Sequence, residues 1–152
     1  ALDLAYPGFA EKLAFGLSFL EVEPGMRVTM AGFDWNFAEN GHGRRDLGVR
    51  LDEGNRSLFY SGDGLPTEAT LTLAKGCDLI VHEAFRIENP IPGHGSVLGC
   101  IDFARKAGAA ALALVHMQRT ERRERRAKLA EIMERTEGLR VFLPEPGAVY
   151  DL

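Results

Sequence analysis

The sequence is poor in cysteine and has no long hydrophobic run. Cys77 and Cys100 are the only cysteines among 152 residues, which argues against a disulfide-stabilised scaffold and favours a reduced, cytoplasmic protein. No segment approaches the roughly 18 consecutive apolar residues of a transmembrane helix, so no membrane association is expected. Charged residues at Asp3, Glu11 and Lys12 interrupt the opening segment, and no cleavable signal peptide is predicted.

An excess of basic charge is also missing. The 18 Lys and Arg residues are outnumbered by 22 Asp and Glu residues, which leaves a formal net charge of -4. Sequence-independent binding to nucleic acid normally uses a basic patch, so nucleic acid is a disfavoured partner. Hydrophobic residues make up 45% of the chain, enough for a folded core. Because no linker or repeat is visible, residues 1–152 are predicted to form a single domain.

The first 60 residues have the pattern of short strands joined by turns. The predicted strands cover 18–23, 26–30, 47–51 and 57–60. A polar loop is predicted over 36–46, between the second and third of these strands. Phe33, Trp35 and Phe37 lie in the loop region ahead of this polar stretch, where they either line a pocket or form local core.

After residue 60 the pattern changes to alternating strands and helices. Three predicted helices have their N-caps at Thr67, Ser96 and Thr120. The glycines predicted to end them are Gly76, Gly108 and Gly138. The predicted strands cover 78–81, 110–115, 139–143 and 148–150. This alternation indicates an α/β layered domain.

Histidine and aspartate side chains gather in loops and at predicted strand ends. His82 and His116 each end an apolar strand, and Asp63 follows another. His42 and His94 lie in loops. Ligands and catalytic groups of α/β sheets gather beyond the carboxyl ends of strands, and imidazole with carboxylate is a ligand set for zinc, manganese or iron. The alternative is that each side chain is a polar loop residue satisfied by backbone groups.

Five short motifs follow one another between residues 40 and 116. They are Asn40-Gly41-His42, Ser61-Gly62-Asp63, His82-Glu83-Ala84, Gly93-His94-Gly95-Ser96 and Leu114-Val115-His116. In these motifs and their order the sequence resembles the C-terminal half of the metallo-β-lactamase-fold hydrolases, specifically their RNase Z-like branch. The resemblance implies an α/β fold that forms the C-terminal half of an αββα sandwich.

The resemblance also implies a role for each matching residue. His42 would bind one metal ion, His116 a second, and Asp63 would bridge the two. Two divalent ions are implied, zinc first with manganese or iron as alternatives, and they would activate a water for attack on a phosphodiester. Glu83 and His94 would deliver a proton to the leaving group, since a carboxylate paired with an imidazole suits a general acid. Alternatively, this pair only orients the metal ligands.

The family's His-x-His-x-Asp-His motif is absent, and the four histidines of the chain cannot recreate it. That motif belongs to the upstream half of the fold, which we therefore expect to be missing. The chain is then expected to be either a fragment of a longer protein or a natural half-domain, and its start without Met favours a fragment. One His for each metal and one shared Asp are too few ligands for tight binding, so the isolated chain is expected to be inactive. The missing half or a second copy would cover its apolar sheet face.

The interval between His42 and Asp63 bears on the substrate. RNase Z carries a long tRNA-gripping arm there, whereas this chain has an interval of 21 positions (63 − 42). The resemblance therefore favours a small phosphodiester or cyclic phosphate over tRNA 3′-end processing, and it leaves amide, lactone and thioester hydrolysis open. Phe85 and Gly95 also depart from the family's His-Glu-Ala-Thr and His-Ser-Thr motifs. A non-catalytic half-domain that binds a subunit or RNA is the alternative from another class.

A run rich in arginine covers residues 119–126. Glu121 and Glu124 stand among the arginines at helical spacing, which predicts a solvated, salt-bridged helix face rather than an RNA-binding surface. Arg119 is the exception, because it closely follows His116 and would reach an anionic group of a substrate.

Overall fold

The computed structural model describes residues 6–151, and within them a single mixed sheet carries the fold. Its seven strands, in spatial as well as chain order, are β1 Arg27–Met30, β2 Phe33–Glu39, β3 Leu47–Glu53, β4 Arg56–Tyr60, β5 Leu79–Glu83, β6 Ala111–Val115 and β7 Arg140–Phe142. The helices are α1 Glu68–Ala74, α2 Val97–Ala107, α3 Arg119–Glu124 and α4 Arg126–Glu134, and a short 3-10 helix covers Ala10–Lys12. Pairing is antiparallel from β1 to β4 and parallel from β4 to β7. The predicted α/β fold class is confirmed.

Strand β2 overturns the prediction of a loop that begins at Asn36. β2 continues to Glu39 and pairs with both β1 and β3. A two-residue turn of Ala31 and Gly32, with φ of 54° and 86°, joins β1 to β2, and positive φ at both positions matches the twist of a tight hairpin. The aromatic residues of this segment, Phe33, Trp35 and Phe37, alternate along β2 and are half-buried. They are therefore side chains of one strand.

Two other predicted strands are wrong. Residues 18–23 and 148–150 adopt no strand in the structure. The earlier segment has apolar residues, but Phe19 is 74% exposed and Leu20 is 57% exposed. A strand is stable only when a neighbour supplies its hydrogen bonds and covers its apolar face, and neither segment pairs with the sheet that β1 to β7 form.

One face of the sheet is covered by helices and holds the core. Phe59, Ile80 and Leu112 are register partners on β4, β5 and β6, and each is fully buried. Phe103 of α2 packs its ring against that of Phe59, with centroids 5.8 Å apart. The parallel strands thus carry long apolar side chains into the helix layer, as expected for strands of this type.

The helix starts differ from the sequence-based prediction at one of three places. Thr67 and Ser96 are N-caps as predicted, each accepting a backbone N–H three residues later at 3.1 and 3.2 Å. Thr120 is not an N-cap, because α3 already begins at Arg119. The predicted single helix is divided at Arg125, whose φ of -112° and ψ of 25° separate α3 from α4. None of the helices described has the length and apolar character that a membrane crossing requires.

The opposite face of the sheet remains half-exposed. A row of register partners on this face consists of Val49, Tyr60, Val81, Ala113 and Phe142, of which only Ala113 is buried. Tyr60 is 46% exposed, although its chain neighbour Phe59 on the helix face is 0% exposed. A row of apolar side chains left partly exposed on a sheet face is typical of a surface that another layer covers.

Candidate metal centre

The site lies where three neighbouring strands end. Asp63 follows β4, Glu83 is the last residue of β5, and His116 directly follows β6. Because β4, β5 and β6 are parallel, their carboxyl ends meet at the same edge of the sheet. Ligand sites of α/β sheets are found at this edge. His42 reaches it from the loop after β2, and His94 from the loop between β5 and α2.

Three imidazole rings surround the carboxylate of Asp63. His94 Nδ1 and His116 Nε2 lie 3.1 and 3.2 Å from Asp63 Oδ1, and His42 Nε2 lies 3.9 Å from Oδ2. The His94 ring is 5.6 Å from that of His42 and 5.7 Å from that of His116. The structure therefore brings together all three residues that the resemblance assigns to metal binding, and it adds His94 to them.

The donor atoms of this cluster fit a divalent cation. Ligand atoms of His42, Asp63 and His94 all lie within 4.8 Å of one another. Asp63 Oδ1, His94 Nδ1 and Glu83 Oε2 are buried and have no hydrogen-bond partner among the described residues. Buried polar atoms are normally paired, because leaving them unpaired is costly. Imidazole nitrogen and carboxylate oxygen that converge in this way match the preferences of zinc, manganese and iron.

The turn that presents Asp63 is held by Asp46 and Asn40, two residues to which the sequence analysis assigned no role. Asp46 Oδ2 accepts a hydrogen bond from the Asp63 backbone N at 2.7 Å and a second from Asn40 Nδ2. Asn40 Nδ2 also donates to the Ser61 carbonyl at 2.7 Å. Gly62 has a φ of 70°, and a Cβ there would lie 2.3 Å from Asp46 Oδ2. Only glycine fits this turn, so the backbone beside Asp63 is locked to the β2–β3 loop.

Glu83 is buried beside the cluster. Its side chain is 1% exposed, and its Oε2 lies 3.7 Å from His94 Nδ1. The Gly95 backbone N donates to its other oxygen. Burial raises the pKa of the Glu83 carboxyl, and the Gly95 hydrogen bond opposes that rise. A carboxyl in this position can hold a proton and orient the His94 ring.

His82 lies outside the cluster, despite standing next to Glu83 in the sequence. Its Nδ1 hydrogen-bonds the Glu83 carbonyl at 2.8 Å, and its ring packs 5.1 Å from that of Phe103. Burial lowers the pKa of His82 to about 4, so the imidazole is neutral at pH 7. This geometry makes His82 a packing residue rather than a member of the cluster.

Phe85 and His116 have local features that a sequence pattern does not reveal. The Phe85 ring lies 5.1 Å from the His94 ring and 5.9 Å from the His116 ring, so this residue forms an apolar wall beside both imidazoles. His116 has a φ of 52°, which is uncommon for a residue other than glycine and is found at functional sites. The remaining candidate, Arg119, is exposed at the start of α3.

Comparison with known proteins identifies the family of this fold and site. Residues 4–117 match the family described as the beta-lactamase superfamily domain. The chain belongs to this superfamily. It is similar to ribonuclease Z of Natronomonas pharaonis, with 33% identity over 102 residues, which are 64% of this chain and 33% of that protein. The chain thus spans about a third of the length of this curated relative.

Solved structures of the superfamily share the fold. The metallo-β-lactamase-fold protein YhfI of Bacillus subtilis matches with a TM-score of 0.74 at 20% identity, covering 98% of this chain and 62% of that protein. Human tRNase Z, short form, matches with a TM-score of 0.58 at 21% identity, covering 78% of this chain and 42% of that protein. The sequence-based assignment to RNase Z-like proteins of the metallo-β-lactamase fold is confirmed.

Proposed function

We propose that this chain carries part of the active site of a metal-dependent hydrolase that cleaves phosphodiesters. The observation that carries the proposal is the Asp63 carboxylate, which has imidazole nitrogens at 3.1, 3.2 and 3.9 Å. Membership of the beta-lactamase superfamily and the similarity to a ribonuclease Z support it. In the complete enzyme Asp63 would bridge two divalent ions, with His42 on one and His116 on the other.

The proposed chemistry assigns separate tasks to the residues of the cluster. When bound, divalent ions supply an activated water and stabilise negative charge on a phosphoryl oxygen. Asp63, His42 and His116 would hold the ions, and Asp46 keeps the Asp63 turn in place. His94 passes a proton to the leaving oxygen, and the carboxyl of the buried Glu83 lies 3.7 Å from His94 Nδ1, beside the ring that it would orient.

We also propose that a further layer completes the site and covers the open sheet face. The chain matches 62% of YhfI while nearly all of its own residues are used, so more than a third of that protein has no counterpart here. The half-exposed row at Val49, Tyr60 and Val81 is the surface that such a layer would contact. The missing upstream half or a second copy of the chain would supply the remaining ligands.

Metal content tests the proposed centre directly. Elemental analysis after purification without chelator should find about two ions in a longer product of the gene and almost none in this chain alone. Asp63→Asn in the longer protein should lose the ions, because the bridging carboxylate is gone. Asp102→Asn, on the exposed face of α2, is the matched control and should keep them. A longer protein without metal would overturn the proposal.

Turnover and metal content of a His94 variant distinguish a proton-transfer role of His94 from a metal-binding role. If His94 is the general acid, His94→Ala in the complete protein lowers kcat by ~10²-fold or more and keeps the metal content. Loss of metal in the same variant would instead make His94 a ligand, in line with its place in the three-residue group. Unchanged turnover would remove His94 from the mechanism.

RNA is the second candidate substrate, because the chain is similar to a ribonuclease Z. The 21-position interval between His42 and Asp63 favours a smaller phosphodiester. Turnover of bis(p-nitrophenyl) phosphate, a 2′,3′-cyclic nucleotide and a precursor tRNA under one condition would rank the candidates. Cleavage confined to the precursor tRNA would overturn the preference for a small substrate.

A further inference from the structure

The helices after His116 form a cavity that is lined mainly by arginine. The cavity has a volume of about 370 Å³, and its lining residues are Arg119, Arg122, Arg123, Arg126, Leu143 and Glu145. Four guanidinium groups therefore face one carboxylate. The chain as a whole carries a net charge of -4, so this concentration of positive charge is local.

Only some of this positive charge is neutralised by neighbouring residues. Arg122 forms an ion pair with Glu145 at 3.0 Å, and Arg123 contacts Glu124 at 3.3 Å. Arg119 and Arg126 have no ion pair or hydrogen bond from their side chains to any described residue. Two guanidinium groups are thus left available to a ligand.

The other side of the same helices is different. Arg125 pairs with Glu88 at 3.0 Å and with Glu121 at 3.4 Å, and Lys128 also contacts Glu88. The predicted salt-bridged face therefore exists on the side of Arg125, where the arginine charge is balanced by carboxylates. The cavity side retains an excess of positive charge, which corrects the prediction for this part of the run.

Two residues that line the cavity, Arg119 and Leu143, follow strands that end at the edge where the metal centre lies. Arg119 follows His116 by three residues, and Leu143 directly follows β7. Because β6 and β7 are parallel, the carboxyl end of β7 lies at the edge where His116 stands. A substrate held at Asp63 can therefore extend toward the arginines.

We infer that this cavity binds a second phosphate group of the substrate, one that flanks the phosphodiester cleaved at the metal centre. Arginine is suited to this ligand, because its planar guanidinium binds phosphate oxygens in pairs. A cavity of this volume is at the small end of ligand sites, so it fits a compact anion rather than a base or a folded domain. The inference rests on the proposed function for the cleavage, but phosphate binding by itself does not depend on it.

Binding measured without metal tests the inference independently of catalysis. The longer gene product in excess chelator is titrated by calorimetry with inorganic pyrophosphate and, separately, with a short single-stranded RNA. The double variant Arg119→Ala/Arg126→Ala should weaken binding by about ten-fold or more, since each hydrogen bond to a charged group is strong. The control Arg105→Ala/Arg135→Ala removes the same charge from α2 and from the position directly after α4, and it should weaken binding by about two-fold or less.

Salt dependence supplies a second measurement. For RNA, two lost phosphate contacts should reduce the slope of log affinity against log salt by about 1.4, at roughly 0.7 per contact. Binding of RNA identifies the ligand as a phosphodiester chain, and binding of pyrophosphate alone identifies it as a compact diphosphate. An equal loss in both double variants, or no binding of either probe by the unaltered protein, would overturn the inference. Absence of metal in the longer protein, with anion binding intact, would overturn only the proposed hydrolase.

Discussion

The antiparallel and parallel parts of the sheet differ in packing and in the residues they carry. Strands β4 to β6 bury Phe59, Ile80 and Leu112 fully under the helices. Their carboxyl ends also present Asp63, Glu83 and His116. In β1 and β2 Ala38 alone is buried, and every other residue is half-buried or exposed. The antiparallel part reaches the site through the loop that follows β2, which contains His42.

This difference indicates separate physical roles. The parallel part is rigid because its core is closed, and a closed core holds strand ends at fixed distances. The antiparallel part contributes through loop residues, namely His42 as a candidate ligand and Asp46 with Asn40 as a support for the Asp63 turn. The site therefore depends on the core of one part and on a few hydrogen bonds from the other.

The largest expected effect is a difference in stability between a substitution in the parallel part of the sheet and one in the antiparallel part. Leu112→Ala leaves a cavity at a fully buried position and should lower the free energy of unfolding of this chain by about 4 kcal/mol. Leu51→Ala, on the half-exposed face of β3, should lower it by about 1 kcal/mol. Urea denaturation followed by circular dichroism measures both. An equal loss would show that the open face is already covered, for instance by a second copy.

A smaller effect should follow from the buried His82 of the parallel part. Its pKa is about 4 in the folded state and 6.5 in the unfolded state, so protonation favours unfolding. The part of the free energy of unfolding that depends on neutral His82 is fully present above pH 6.5 and is lost as the pH falls toward 4. The total loss is about 3 kcal/mol. His82→Gln should flatten this part of the stability profile in denaturant titrations at stepped pH. The half-exposed His116→Gln is the control, and an identical profile in both variants would contradict the prediction.

The smallest expected effect tests the link between the two parts. Asp46→Ala removes the acceptor of the Asp63 backbone N–H and should weaken zinc binding by the longer gene product by about ten-fold, the scale of groups that orient metal ligands. Asp46→Asn keeps an acceptor oxygen and should recover most of the affinity. Zinc titration against a competing chelator gives the dissociation constants. Unchanged affinity in Asp46→Ala would show that the turn does not need this support.

The sequence was most informative where local chemistry and tertiary packing agree. Thr67 and Ser96 are N-caps in both prediction and structure, because an N-cap uses atoms within three residues of the cap. The strand over 18–23 failed, because a strand needs a neighbour that no local pattern specifies. β2 was missed because its aromatic residues were interpreted as loop side chains, although they alternate along the strand.

The candidate site shows the same division. Asp63, His82 and His116 were placed at strand ends by the apolar runs before them, so the edge shared by Asp63 and His116 could be predicted. The strand before His82 continues to Glu83, however, and Glu83 is the residue that reaches the site. The contact of His94 with Asp63 could not be predicted, because a loop of 12 residues between Glu83 and Ser96 determines where His94 lies. Asp46 was missed as well, since an Asp in a polar loop has no distinctive pattern. Asn40 belongs to the Asn40-Gly41-His42 motif, but the sequence does not show that its side chain reaches the Ser61 carbonyl.

The sequence by itself determined the α/β class, the family motifs and the types of ligand atom, because these depend on residue identity and order. The tertiary structure alone decided which imidazoles surround Asp63, which residues support its turn, and which arginines of residues 119–126 remain unpaired. Those features depend on distances between residues far apart in the chain. Such distances are set by how the core packs, and packing is a property of the whole fold.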